Sequence, residues 1–312
     1  MEHIRTLQQA IQHFSDEQSC IDYMVKLRWP DGVVICPTCG RDDVSWLENQ
    51  RKWQCKSRHK KRQFSAKVGT IFEDSPLGLD KWLMTAWMLV NCKNGISSYE
   101  ISRAIGVTQK SAWFMLHRLR LAMKSEDDSE LGGEGGTVEA DECFIGGKEK
   151  NKHLGKRSGE DKKAIVMGIK DRDTRQIRAK VIPNVKMGTL HSMIMENIGK
   201  GSNVYTDGWR GYEHLRNVND FVHETVNHID EYARGQVHTQ GIENFWSLLK
   251  RTLNGTYVAV EPFHLDRYVD EQVFRFNTSR SMKDEARFQK VLSQVTGKRL
   301  CYAELTGKTE IQ

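Results

Sequence analysis

The chain contains no apolar run approaching the roughly 20 residues that a bilayer-spanning helix needs. Its opening stretch, MEHIRTLQQAIQHFSDEQ, is charged throughout and lacks the apolar centre of a signal peptide. Internal repeats and low-complexity tracts are missing too. Seven cysteines in 312 residues, an odd number in a chain this long, exclude a disulfide scaffold and predict a reducing compartment. These absences leave a soluble, cytoplasmic protein with no membrane partner as the expectation. The length allows two or three domains and a sizeable core. The net charge of +6 is mildly basic and suggests a polyanionic partner.

The basic residues are clustered. From Arg51 to Lys67 the run RKWQCKSRHKKRQFSAK carries eight of them, no acid, and an interleaved Trp53 and Phe64. A charge run alone is usually a solvated face. This one wraps a candidate ion-binding knuckle, CPTCG, in which Cys36 and Cys39 stand two residues apart with Pro and Gly beside them. Cys55 fits as the third thiolate and His59 as the fourth ligand of a structural zinc ribbon. Arg58 occupies the position where a second C-x-x-C would place its cysteine, so His3 and His13 stay open as outside alternatives to His59. With the ribbon in place, Lys56, Arg58, Lys60, Lys61 and Arg62 are expected to contact phosphates.

The next segment reads as helical. Asp80 to Val90 forms a buried helix, Ser98 to Ile105 a short one, Gly106-Val107-Thr108 a turn, and Gln109 to Met123 a longer helix capped by Thr108. The alternative is an ordinary helical hairpin. As a helix-turn-helix it would present Gln109, Lys110, Ser111 and Trp113 to base edges. SEDDSELGGEGG, residues 125–136, is acidic, Gly-rich and without an apolar face, and reads as a linker.

Beyond it the expected order is three strands joined by hairpins, then helix, strand, short helix, strand and helix. Thr137 to Ile145, Ala164 to Ile169 and Ile177 to Ile182 are the first three strands. Asn203 to Thr206 precedes Asp207, and Phe221 to Val226 is the fifth strand. The closing helix lies in HTQGIENFWSLLKR, where Ile242, Phe245, Trp246, Leu249 and Leu253 form one apolar stripe. Glu243, Ser247 and Lys250 form a second stripe beside it. Positions seven apart nearly superimpose on a helix, too far for a surface ion pair and suited to an extended ligand reaching both. This element order is that of an RNase H-like fold, in which Asp141 on the first strand and Asp207 at the tip of the fourth would lie side by side.

Three carboxylates brought that close repel one another unless a cation neutralises them. Asp141, Asp207 and Glu243 are therefore candidate ligands of two divalent cations, Mg²⁺ or Mn²⁺, of the kind that drive in-line phosphoryl displacement. Each alone has a plainer reading, as a strand-end turn, an Asx turn or a surface acid. Glu139 shares the face of Asp141 and is a candidate auxiliary, and Glu142 is its neighbour. Between the first two strands, GGKEKNKHLGKRSGEDKK carries six lysines and Arg157, and reads as a DNA-gripping loop with Lys148, Lys150, Lys152 and Arg157 on phosphates. No Arg/His/Tyr or Ser nucleophile constellation with a recognisable spacing supports covalent recombination.

Asp, Asp, thirty-five residues, Glu and a basic residue seven further on resembles the signature of DDE transposases and retroviral integrases. The words ADECFIGGKEKNKH, YTDGWRGY and HTQGIENFWSLLKR resemble the zinc-ribbon, ISXO-type group of bacterial insertion-sequence transposases, from about Cys36 to Asn277. The resemblance implies Mg²⁺-dependent cleavage at the ends of an element, followed by attack of the freed 3′-hydroxyl on target DNA. It implies that double-stranded terminal inverted repeats and target DNA are the partners, that Lys250 steadies the scissile phosphate, and that two ends are held in a dimer or larger assembly. Some relatives carry Asn as the third residue, which keeps Asn244 open beside Glu243. A DNA-binding regulator without activity and an RNase H-type nuclease without strand joining are the alternatives. The expected modules are 1–27 (N-terminal helices), 28–76 (zinc ribbon), 77–124 (helix-turn-helix), 125–136 (linker), 137–280 (catalytic) and 281–312 (helix and tail).

Overall fold

A computed structural model of the chain describes residues 4–146, 163–217, 220–226 and 236–307. Two compact units emerge, one built from residues 1–123 and 280–312, the other from 124–279.

In the first unit, short helices start where side chains satisfy their orphan amides. A Thr6/Gln9 capping box opens α1 (Leu7–Phe14) and Asp16 caps α2 (Glu17–Arg28). A three-stranded antiparallel ribbon follows, β1 (Val44–Leu47), β2 (Lys52–Cys55) and β3 (Gln63–Phe64), with Trp53 stacked on Phe64 and packed against Trp46 and Trp29. Next comes α3 (Leu79–Asn91). A Ser97/Glu100 capping box then opens α4 (Ser98–Ile105), which ends at Gly106 in the left-handed region, φ 66°. Thr108 accepts the Ser111 amide at 3.1 Å to start α5 (Gln109–Met123). The helix Asp284–Ser293 belongs to this unit, its Phe288 packing among Phe14, Tyr23 and Trp87. Buried Arg118 ties distant strands of chain together by donating to the carbonyls of Ile71, Glu73 and Leu300.

The second unit is a five-stranded mixed sheet with helices on both faces. β5 (Thr137–Ile145), β6 (Ala164–Asp171) and β7 (Ile177–Ile182) run antiparallel, while β9 (Ser202–Asp207) and β10 (Phe221–Val226) are parallel to β5, in the order β10-β9-β5-β6-β7. One face carries α6 (Met187–Asn197) over Val138, Ala140, Met167, Ile169 and Val204. The other carries α7 (Gln240–Thr252) and α8 (Leu265–Thr278) over Cys143, Val166 and Ile177. The predicted apolar stripe of α7 is the buried one: Ile242, Phe245 and Leu249 are fully buried, and Trp246 and Leu253 nearly so. The glycine-rich end of the expected linker is structured, since β4 (Leu131–Gly132) pairs with β8 (Ile198–Gly199). Gly132 and Gly133 take positive φ there, and a Cβ on Gly132 would meet the Ser202 hydroxyl at 2.5 Å, so the glycines serve close pairing and not looseness. Among the described residues no helix is long and apolar enough to cross a membrane.

Candidate functional site

Strand pairing brings the two aspartates together. The parallel ladder of β5 and β9 sets Thr137 against Asn203 and Glu139 against Tyr205. The pairing ends there; Asp141 and Asp207 each lie two residues beyond the last pair, and a two-residue period puts both on the α7 face. There the Trp246 indole donates to Asp141 Oδ2 at 2.8 Å. Burial, first, and the charges of Asp207 and Glu243 push the Asp141 carboxyl up to about 6, against the lowering effect of that hydrogen bond. Asp207 Oδ1 accepts the Trp209 amide at 3.0 Å. Glu243 is exposed in the first turn of α7, where its Oε1 accepts from the Thr239 hydroxyl at 3.0 Å. Two turns on, the Lys250 ammonium lies near enough to the Cys143 thiol, two residues beyond Asp141 on β5, to oppose the rise that burial imposes on that thiol.

Glu139 does share the face of Asp141, but its carboxylate is committed elsewhere. It is 1 % exposed and accepts from Arg172 Nε at 2.7 Å and from the Ile242 amide at 2.8 Å. Glu142 stands closer to the site's electrostatics. Its carboxyl is raised to about 7 by burial, then by Asp207 and Asp141, while the hydroxyl of fully buried Tyr212 donates to its Oε2 at 2.6 Å. The sequence held one signal for this pair, the second tyrosine of YTDGWRGY five residues past Asp207.

A glycine makes room for the indole. Gly168 on β6 lies opposite Asp141 in the ladder, and a Cβ there would meet Trp246 Cη2 at 2.8 Å and Ile242 Cδ1 at 3.0 Å. Both atoms belong to buried side chains, so neither yields cheaply. Gly168→Ala is expected to lower stability by about 1–3 kcal/mol through overpacking and to move the indole off Asp141. Urea unfolding reads the first effect and the Trp246 indole N–H resonance reads the second; an unshifted resonance would disprove the link.

The donor sets fit two kinds of cation. Among the described residues, one group of ligating side chains has all its donor atoms within 4.8 Å of one another: Cys36, Cys39, Cys55 and His59. Cys36 Sγ lies 3.5 Å from His59 Nε2 and Cys39 Sγ 3.7 Å from Cys55 Sγ. Zinc–ligand bonds of about 2.0–2.3 Å in a tetrahedron give edges of this length. Asp141, Asp207 and Glu243 do not form so tight a group, and each carboxylate has a protein donor of its own. Their oxygen-only set, partly desolvated and with Asp141 held above its ordinary range, suits a hard divalent cation that keeps some waters.

The predicted DNA-contacting residues divide. Arg58, Lys60, Lys61 and Arg62 are exposed, and the last three line one wall of a cavity of about 590 Å³ beside Gln54 and Gln63. Lys56 is exposed too but pairs with Asp43 at 2.9 Å. Gln109 donates to the Ser98 hydroxyl at 2.8 Å, Lys110 sits over the Tyr302 ring at 4.6 Å, and Ser111 bonds Thr108. Lys148, Lys150, Lys152 and Arg157 lie outside the described residues.

Comparison with known proteins agrees with this layout. Residues 133–277 match the ISXO2-like transposase domain and residues 15–60 the transposase zinc-ribbon domain. A protein in transposable element ISH50 of Halobacterium salinarum is 26% identical over 261 residues, covering 78% of this chain and 85% of that protein. A transposase-like protein of Haemophilus influenzae is 37% identical over 99 residues, 32% of this chain and 79% of that protein. A chain of the simian T-cell lymphotropic virus intasome, in complex with the PP2A regulatory subunit B56 gamma, overlaps with a TM-score of 0.29 and 12% identity over 59% of this chain and 66% of its own length, too loosely to argue from. The chain belongs to the ISXO2-like insertion-sequence transposases with an N-terminal zinc ribbon.

Proposed function

We propose that the protein is a DNA transposase that binds the terminal inverted repeats of its element, cuts at their ends and joins the freed 3′-hydroxyl to target DNA. The observation that carries this reading is the convergence of four side chains on one strand pair and one helix. Asp141 and Asp207 stand two residues beyond the last β5–β9 pair, on the sheet face that α7 covers, and α7 carries Glu243 and Lys250 on its exposed side. The strand order supports an RNase H-like assignment for the second unit.

Asp141, Asp207 and Glu243 would hold Mg²⁺ or Mn²⁺, which supplies activation of the attacking oxygen and stabilisation of the leaving one. Trp246 orients the Asp141 carboxylate, and burial strips it of competing water. Lys250, exposed and in helical register with Glu243, steadies a phosphate as a point charge. The exposed cations of the ribbon and the α4–α5 pair, read as a helix-turn-helix, would grip the repeats, with Lys148, Lys150, Lys152 and Arg157 adding phosphate contacts. The modular division 1–27, 28–76, 77–124, 125–136, 137–280 and 281–312 follows from this reading. Joining two ends requires a dimer or larger assembly, working on DNA in a prokaryotic cytoplasm.

The test is strand transfer with purified protein, a DNA end from the flanking inverted repeat, plasmid target and Mg²⁺, comparing wild type with Glu243→Gln. Joined product from wild type, reduced at least about 10³-fold in the variant, is the expected result. Equal product from both moves the third ligand to another residue, with Asn244 the next to replace. Cleavage without joining marks a nuclease, and binding with neither marks a DNA-binding regulator.

A further inference from the structure

α7 does not end in an ordinary cap. At Leu253 it passes into one π-helical turn, Leu253–Tyr257, a rare feature that concentrates at functional sites. The chain then reverses at Val258, with φ 63° and ψ −57°, and the Ala259 amide donates to the Tyr257 carbonyl at 2.7 Å. This is the γ-turn of the rarer, strained hand, and a β-branched residue at its centre is the costliest occupant. The base of the turn is fixed: the Tyr257 hydroxyl donates to Glu271 at 2.6 Å and its ring packs edge-on against Tyr268 at 4.8 Å. The tip is apolar. Val258 is 77% exposed and Phe263, five residues further along the chain, 69%. Neither the strain nor the exposure stabilises the fold, and such an outlier points to use elsewhere.

The neighbouring surface indicates what meets the tip. The exposed side of α7 is polar along its length, with Glu243, Asn244 and Ser247, and it ends in two exposed cations, Lys250 and Arg251, before Asn254. A ligand lying along this side meets two phosphate-binding charges and then a rigid apolar point. Duplex DNA satisfies both, through its phosphates and through a base step that an apolar side chain can enter. Seven residues lie between Lys250 and Val258, the π-helical turn among them.

We propose that the Val258–Phe263 tip is a wedge that enters a base step of the DNA lying along α7 and kinks it, beyond the phosphate beside Lys250. The inference rests on the transposase reading, since it takes DNA as the ligand. The kink would turn the duplex so that more of it runs over the protein.

The experiment uses the full chain and an inverted-repeat duplex carrying 2-aminopurine at successive steps, with end labels to read bending by energy transfer. Val258→Gly is the informative variant, because glycine adopts this turn freely and removes only the wedge and the strain. Its thermal midpoint should be no lower than that of wild type. Wild type should brighten 2-aminopurine at one step and shorten the end-to-end distance. Val258→Gly and Phe263→Ala should lose both signals. They should also bind intact duplex about tenfold more weakly, while binding equally well a duplex already mismatched at that step. Both signals persisting in both variants overturns the wedge. So does a loss of self-association with the kink intact, which would make the tip a protein contact. Wild type that binds DNA without brightening any step overturns the wedge alone, whereas wild type that binds no DNA overturns the transposase reading and the wedge with it.

Discussion

Glu139→Ala is expected to destabilise the second unit by about 3–5 kcal/mol, the cost of removing one partner from a buried ion pair. The carboxylate is 1 % exposed and receives Arg172 Nε at 2.7 Å, with Lys170 Nζ at 4.0 Å and His238 Nδ1 at 3.8 Å. Without it two cations stay largely buried with no counter-charge. The second consequence is local. Glu139 also accepts the Ile242 amide at the start of α7, so a strand residue caps the helix that carries Glu243. The fit is close: a Cβ on Gly241 would lie 2.7 Å from Glu139 Oε2 and 2.3 Å from Lys170 Nζ. Arg172 fastens the chain just before the helix, donating to the carbonyls of Gln236 and His238. Glu139→Gln keeps an acceptor for the amide while losing the charge, so it should fall between wild type and alanine. Urea unfolding and amide exchange at Ile242 measure the two effects. A loss under about 1 kcal/mol with unchanged exchange at Ile242 would show that the helix start is held by other contacts.

What the sequence disclosed and what it hid separate along physical lines. The β-strands flanking Asp141 and the helix bearing Glu243 were legible because period-two alternation and a 3.6-residue apolar stripe are local patterns, and a buried face must show one. The expected strand Ala164 to Ile169 stands within Ala164–Asp171, and the expected helix of Glu243 runs from Gln240 to Thr252. The cluster of Cys36, Cys39, Cys55 and His59 was legible from spacing, since a knuckle turn is short-range. Contacts between distant segments were not. Period two correctly places Glu139 beside Asp141, yet only the tertiary structure shows Arg172, thirty-three residues away, claiming it. Gly168 looks like any strand glycine until Trp246 lies over it. Glycines 132–133 read as a linker because a parallel pairing with residues 198–199 leaves no local trace. Nothing in residues 284–293 says that Phe288 will pack among N-terminal aromatics. The γ-turn at Val258 contradicts local preference outright, since a β-branched residue there is disfavoured.

The ribbon carries the other large effect. Its strands hold four, four and two residues, and its apolar packing is little more than Trp29, Trp46, Trp53 and Phe64. A module this small buries too little surface to fold on hydrophobic energy alone and depends on a cross-link. Structural zinc sites in comparable peptides contribute an apparent 10–16 kcal/mol at neutral pH, about as much as a whole domain's stability. Chelation, or Cys36→Ala, is therefore expected to unfold residues around β1–β3 outright, seen as loss of near-ultraviolet circular dichroism from the Trp46–Trp53 pair at 4.7 Å. Buried Cys55 should behave like Cys36. His59 differs. It lies in the cluster where such ribbons usually have a fourth thiol, so as a ligand its change to Cys should complete a four-sulfur set and keep the metal, while His59→Ala should weaken it without abolishing the fold at saturating zinc. One zinc per chain by atomic spectroscopy in wild type and His59→Cys, and none in Cys36→Ala, is the expected pattern. Full occupancy in both Cys36→Ala and Cys55→Ala would place the ion on other ligands and leave the 3.5 and 3.7 Å approaches as contacts that hold no metal.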